Sequence, residues 1–226
     1  MTLKDKVIVI TGGSRGLGKE LAREFFQNGA KVIITARNKK ELEKTAKEIG
    51  VLSFVSDVTN EISLKKLSAF VLKKFGKIDF WINNVGIWIP HSSIENVKIN
   101  DLQKAIDINV FGMIYGSRTA MSTMKKKKTG AIINIISLSG LNGRPMSSAY
   151  ATSKWAARGF SESLRLALEP LHIPVIAIYQ GGMKTDIFKN KKPKDYDTFM
   201  EPNYVAKKIV SNLKLKKPKI DLIISK

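Results

Sequence analysis

Tyr150 and Lys154 stand four residues apart in a stretch of helical character, so their side chains share one helix face. A phenol titrates near about 10, too high for a base at neutral pH, and a neighbouring ammonium draws that value down by stabilising the phenolate. Such a pair can give a proton to a reacting oxygen or take one from it. Ser137 ends the apolar run 131–136, which puts its hydroxyl at the ligand edge of a strand, where it can bond an oxygen as charge develops there. The chain has no cysteine, which excludes disulfides, thiolate metal sites and thiol nucleophiles and fits a reducing compartment. Its two histidines, His91 and His172, have no ligand cluster beside them, so no metal site is expected.

A second group of residues suits a phosphate. Thr11-Gly12-Gly13-Ser14-Arg15-Gly16-Leu17-Gly18 follows an apolar run and opens a helical stretch. Glycines there let the backbone turn tightly and approach a pyrophosphate, and the helix N-terminus offers free N–H groups and a positive dipole end. The spacing Gly-x-x-x-Gly-x-Gly differs from the common Gly-x-Gly-x-x-Gly fingerprint, and no Gly-Lys-Ser/Thr follows as in a P-loop.

Short valine- and isoleucine-rich runs at 7–11, 31–35, 51–55, 78–83, 131–137, 174–179 and 219–223 read as strands. Helical patterns at 16–28, 39–48, 63–75, 100–126, 149–168 and 202–214 lie between them. Nearly continuous apolar runs imply strands buried on both faces, and alternation with helices implies a doubly wound, Rossmann-type α/β fold with a seven-stranded parallel sheet. No linker divides residues 1–226, which read as one dinucleotide-binding domain. The Lys-, Pro- and Asp-rich segment 181–200 leaves a strand's carboxyl end, the ligand side of such a sheet, and reads as a substrate lid.

The 226 residues are 43% hydrophobic, enough for a sizeable core, and no apolar run is long enough to span a bilayer. No signal peptide is expected, which points to the cytoplasm. The net charge of +20 raises the question of nucleic acid, but 32 of the 39 basic residues are lysines and the densest run, Lys125 to Lys128, reads as a solvated helix end. Nucleic acid is therefore not expected as the main partner.

In this order of motifs the sequence resembles the short-chain dehydrogenases/reductases of the single-domain type, over nearly its whole length. The matching landmarks are Thr11-Gly-x-x-x-Gly-x-Gly18, Asp57-Val58, Asn83-Asn84-Val85-Gly86, Asn109, Ser137, Tyr150-x-x-x-Lys154 and Gly181-x-x-x-Thr185. The resemblance implies hydride transfer between nicotinamide and a carbonyl or alcohol substrate. Tyr150 would be the proton donor, Ser137 would orient the oxygen, and Asn109 would hold a water that connects Lys154 to solvent. Lys154 would also bond the nicotinamide ribose. Ser137 is preferred to Ser139 because it lies three residues after Asn134 and three before Gly140. For the cofactor, the resemblance implies that Gly12, Ser14, Gly16, Leu17 and Gly18 form the cradle. Asp57 and Val58 would meet the adenine, Asn84 and Gly86 the adenine ribose, and Thr185 the nicotinamide side. The family usually has Ala where Val85 stands and Pro where Gln180 stands.

NAD-specific members of the fold carry an acidic residue at the end of the second strand. Here 31–35 continues as Ala36-Arg37, and Arg15 lies in the glycine loop, so both guanidiniums are expected on a 2′-phosphate and the cofactor is expected to be NADP(H). Trp88, Leu141, Met146, Tyr179, Met183 and Phe188 are expected to line the substrate pocket. Phe111, Met113, Ile114, Trp155, Phe160 and Leu164 give the helices at 100–126 and 149–168 more apolar residues than a one-sided helix needs, and the equivalent helices pair across a two-fold axis in the family, which implies a homodimer or homotetramer. Two rival readings are a non-catalytic nucleotide-binding regulator on the same scaffold and a nucleotide-sugar epimerase or dehydratase. All four catalytic positions are filled, and the roughly seventy residues after Lys154 are few for the latter's substrate domain.

Overall fold

The computed structural model describes residues 2–188 and 191–226. Along the chain it runs β1 (Val7–Thr11), α1 (Gly16–Gln27), β2 (Lys31–Ala36), α2 (Lys39–Ile49), β3 (Leu52–Val55), α3 (Glu61–Phe75) and β4 (Phe80–Asn83). It continues α4 (Ile99–Ile106), α5 (Gly112–Lys127), β5 (Ala131–Ile135), α6 (Ser148–Leu168), β6 (Val175–Gln180), α7 (Pro202–Lys214) and β7 (Asp221–Ile224). The strands form one seven-stranded sheet in the order β3-β2-β1-β4-β5-β6-β7, every pairing parallel. The expected doubly wound architecture is therefore what the chain adopts. Strand order reverses between β1 and β4, and that switch point opens a crevice at the carboxyl ends of the strands.

Continuous apolar strands make this arrangement possible. Every residue of β1 is buried, with Ile8 and Ile10 packed on one side and Val7 and Val9 on the other. The first side is covered by α1, α2 and α7 through residues such as Phe25, Leu42 and Ile209; the second by α3, α5 and α6 through Leu67, Met124 and Leu168. Helix ends follow local chemistry. Asn38 and Asn60 cap α2 and α3 by accepting from Glu41 N at 3.2 Å and Ser63 N at 3.1 Å, and Gly50 and Gly76 stop them in the left-handed region.

Two expectations need correction. The helix read at 100–126 is interrupted: Asp107–Phe111 forms a π-turn between α4 and α5, which buries Ile108 and Asn109. The fifth strand ends at Ile135 rather than 137, because Ser137 has φ 143° and ψ 156°, outside strand geometry. The segment 181–200, whose residues 189–190 lie outside those described, is drawn back on itself by a bridge between Met183 and Met200. No helix among the described residues is long and apolar enough to cross a membrane.

Candidate active site

The glycine loop is tied to its neighbours by backbone groups. Gly12 N and Gly13 N both donate to Thr35 O, at 2.8 and 3.1 Å, which hangs the loop from the end of β2. Gly12 and Gly16 have φ 68° and 53°, where side chains are strained, and a Cβ on Gly18 would lie 2.2 Å from Gly12 O. Gly13, which the motif leaves unspecified, is equally constrained: a Cβ there would meet Ile34 at 2.5 Å. No side chain caps α1, so its first N–H groups are left for a ligand.

This loop is the floor of a groove of about 340 Å³ along the strand ends. Gly12, Ser14, Arg15, Gly16, Leu17, Gly18, Arg37, Asp57, Val58, Asn84, Gly86, Tyr150, Lys154 and Thr185 all line it. Asn109 and Ser137 do not line it: Asn109 is buried beside Gly86, and half-buried Ser137 hydrogen-bonds with Tyr150.

The end beside β2 and β3 is charged and open. Arg37 Nη1 lies 3.9 Å from Asp57 Oδ2, and Arg15 Nη1 lies 3.8 Å from Glu41 Oε1, with the arginine side chains 65% and 61% exposed. Ser14 Oγ donates to Glu41 Oε2 at 3.3 Å. Asp57 Oδ1 accepts from Thr59 N at 2.9 Å and Thr59 Oγ1 at 2.8 Å. Glu41 is a lining residue that the motifs do not mark; its only signal in the sequence is its place in the first turn after the second strand.

In the middle, Asn84 Nδ2 donates to Thr11 O at 2.9 Å and Gly12 O at 3.2 Å. That amide fastens β4 to the glycine loop, so its contact with a ribose would come from the rest of the residue. A Cβ on Gly86 would make a tight approach of 3.3 Å to Asn109 Oδ1 and an ordinary contact of 3.5 Å with Lys154 Nζ.

The end beside β5 and β6 is closed, with polar groups held in burial. Tyr150 and Lys154 project from the first two turns of α6, with Lys154 Nζ 5.6 Å from the Tyr150 ring centroid. Lys154 is only 4% exposed, and burial pushes its ammonium down to about 8. Burial pushes the Tyr150 phenol up to about 12, while a hydrogen bond with Ser137 works in the other direction. The expected lowering of the phenol by the ammonium is absent: desolvation sets the direction, and Ser137 is the group that opposes it. Ser137 Oγ also accepts from Ser139 N at 3.1 Å, which fixes the hydroxyl in its unusual backbone setting. Both amide hydrogens of Asn109 are used by protein: Nδ2 donates to Ile87 O and Ser153 Oγ, both at 3.0 Å, while Oδ1 accepts from Ile87 N at 2.8 Å and keeps a second lone pair. The side chain clamps the loop after β4 to α6.

Of the apolar residues expected around a substrate, Met183 lines the groove. Trp88 packs edge-on against Phe188 at 5.0 Å, and Phe188 continues to Tyr196 and Phe199. Tyr179 does not belong with them. It is 1% exposed and sits among Met113, Ala157 and Ala177, because strand alternation turns 179 and 180 to opposite faces.

Residues 6–196 match the family described as short chain dehydrogenase. An uncharacterized oxidoreductase of Listeria monocytogenes is 34% identical over 211 residues, covering 90% of this chain and 85% of the relative. An NADP-dependent (R)-specific alcohol dehydrogenase of Lentilactobacillus kefiri is 37% identical over 192 residues, 82% of this chain and 76% of that one. Among solved structures, the alcohol dehydrogenase of the archaeon Thermococcus sibiricus complexed with 5-hydroxy-NADP superposes with a TM-score of 0.88 at 26% identity, covering 98% and 96% of the two chains. The 3-ketoacyl-(acyl-carrier-protein) reductase of Brucella melitensis complexed with NADH superposes with a TM-score of 0.91 at 25% identity, covering 98% and 97%.

Proposed function

Since the chain belongs to the short-chain dehydrogenase family and is an oxidoreductase of that type, we propose that it is NADP(H)-dependent and acts on a small-molecule carbonyl or alcohol. The observation that carries the cofactor reading is the pair of exposed guanidiniums, Arg15 and Arg37, at one end of a groove that holds Tyr150 and Lys154 at the other. The Lentilactobacillus enzyme and the archaeal NADP-analogue complex support it; the Brucella neighbour, solved with NADH, is what makes a direct test necessary. The residues fit a dinucleotide: Gly12, Gly16 and Gly18 line the groove, close packing of Gly12 and Gly18 on their own neighbours shapes the loop, and the uncapped start of α1 borders the same space.

Nicotinamide, when bound, supplies or accepts the hydride. In reduction the Tyr150 hydroxyl gives its proton to the carbonyl oxygen, and its high proton affinity keeps it in the acid form at neutral pH. Ser137 Oγ bonds the same oxygen as negative charge develops there. The Lys154 ammonium stabilises the phenolate left behind, and Asn109 positions the loop at Ile87 against α6. In oxidation the same groups run in reverse. Within this reading, Asp57 and Val58 hold the adenine, Asn84 and Gly86 border its ribose, and Thr185 closes on the nicotinamide side. The segment 181–200 is a lid: Thr185 Cγ2 lies 3.3 Å from a Cβ position on Gly16, and Phe188 packs on Trp88 of the loop after β4.

Exposed Phe111 and Trp155 support a homodimer or homotetramer, whereas Met113 and Leu164, expected on the same faces, are buried in the core of the subunit. The decisive experiment follows nicotinamide absorbance with NADPH and NADH against a panel of aldehydes, ketones, quinones and alcohols. Turnover of a carbonyl with NADPH well above that with NADH is expected; equal use of both overturns the cofactor assignment.

A further inference from the structure

Gln180, the last residue of β6, carries a side chain that the protein itself does not satisfy. Its Oε1 is buried without a hydrogen-bond partner among the described residues, the residue is 8% exposed, and it lines the groove. A primary amide has one acceptor oxygen and two donors to satisfy, and leaving such a group buried and unbonded is costly. A hydrophobic residue would serve the fold better at that position.

Its place defines what could satisfy it. Ile176 and Ile178 pack on the sheet face covered by α1 and α7, and Gln180 continues that row, while Tyr179 turns to the opposite core. Gln180 therefore lies on the α1 side, among lining residues that include Tyr150, Lys154, Met183 and Thr185. The chain after β6 returns over the glycine loop at Thr185, next to Gly16. A dinucleotide whose pyrophosphate rests on α1, and whose reactive ring reaches Tyr150, would occupy the groove that Gln180 lines. The adenine end lies beyond β5, β4 and β1, at β2 and β3.

We propose that Gln180 recognises the nicotinamide carboxamide through an amide-to-amide pair, Oε1 accepting from the ligand NH2 and Nε2 donating to the ligand carbonyl. This rests on the cofactor reading above and adds to it a residue that orients the reactive ring.

The test compares wild type with Gln180→Met, which keeps length and removes both hydrogen-bonding atoms. Calorimetry measures binding of NADPH, of 2′-phospho-ADP-ribose, which lacks nicotinamide, and of the 3-acetylpyridine analogue, which lacks the amide NH2. Gln180→Met should weaken NADPH by about tenfold, the loss of one buried two-point contact, and leave 2′-phospho-ADP-ribose unchanged. The acetylpyridine analogue should bind wild type more weakly than NADPH does, and the variant should narrow that gap. Free Gln180→Met should melt about 2–4 °C higher, because an unbonded amide has gone; a purely structural glutamine predicts the reverse. Should methionine disturb the fold, Gln180→Asn, which withdraws the amide by one methylene, gives the same comparison. Equal NADPH affinity in wild type and variant, or equal losses for NADPH and 2′-phospho-ADP-ribose, overturns the pairing alone. Wild type that binds neither NADPH nor NADH overturns the cofactor reading and the pairing together.

Discussion

At the β2 end of the groove, Arg15, Arg37, Asp57 and Glu41 face solvent and hold one another loosely, at 3.8 and 3.9 Å. At the β5–β6 end, Lys154 is 4% exposed with its proton affinity pushed down, and Tyr150 has its own pushed up. Exposed ion pairs are worth little and are screened by salt, so that end can exchange partners and choose a ligand by charge. Burial does the opposite: it changes how tightly a group holds its proton, which is the property that proton transfer needs. Substitutions should therefore change affinity at one end, and rate, pH dependence and stability at the other.

The largest effect belongs to Tyr150→Phe. It removes the transferable proton and keeps the ring, so turnover on a confirmed substrate should fall by about 10²–10⁴-fold while NADPH affinity changes little. Stopped-flow turnover and a binding titration check both halves. A variant with near wild-type rates would refute the mechanism and, with it, the contrast between the two ends.

Lys154→Met comes next, and its signature is a dependence on pH. The folded-state value near 8 is below the ordinary 10.5, so the charged lysine costs stability at all pH values below about 8. That cost is relieved as pH rises from about 8 to 10.5, where only the unfolded chain still holds the proton. The shift corresponds to something on the order of 3 kcal/mol. Lys154→Met should therefore melt higher than wild type at pH 7, with the gain gone by about pH 10.5, while losing most of its activity. In wild type, kcat/KM for carbonyl reduction should fall as pH rises through about 8. A flat profile between pH 7 and 9.5 would mean that the lysine charge does not matter.

The sequence makes the fold legible because β1, β5 and β6 are apolar at nearly every position, and only a sheet covered on both faces buries such strands. Tyr150 and Lys154 are legible because helical spacing alone puts them together. What the sequence hides is how side chains are committed. Nothing in Asp107-Ile-Asn-Val-Phe111 distinguishes a π-turn from ordinary helix, and nothing there announces that the Asn109 side chain clamps Ile87. Asn84 is likewise spent on the glycine loop. The proton affinity of Tyr150 goes the other way from the expectation because desolvation depends on the whole surrounding wall, which no four-residue spacing reports.

Arg37→Ala sharpens the open end. A charge-assisted hydrogen bond to phosphate is worth about 1.5–3 kcal/mol, so NADP(H) affinity should drop by about ten- to a hundredfold and NAD(H) affinity by much less. In the folded protein the same change leaves Asp57 without its 3.9 Å partner, an exposed loss of small consequence. Parallel titrations of both cofactors measure the difference; equal weakening would place Arg37 outside the 2′-phosphate contact.

Glu41→Gln carries the smallest effect and the opposite sign. The Glu41 carboxylate lines the groove, takes a hydrogen bond from Ser14 Oγ and lies 3.8 Å from Arg15, so it competes with an incoming phosphate for that guanidinium. Glutamine keeps the shape and still offers Ser14 an acceptor, but it withdraws the negative charge. Exposed pairs are worth about 0.2–1 kcal/mol, so NADP(H) should bind about 1.4- to fivefold tighter and NAD(H) almost unchanged, with the gain shrinking as salt is added. The substitution also takes an acid from the first turn of α2, where the helix dipole favours one, so the variant should melt slightly lower. Tighter NADPH binding in a less stable protein would show that the open end is tuned by charge for its ligand rather than for the fold. Unchanged or weaker NADPH binding would place the phosphate away from Arg15 and leave Arg37 to hold it alone.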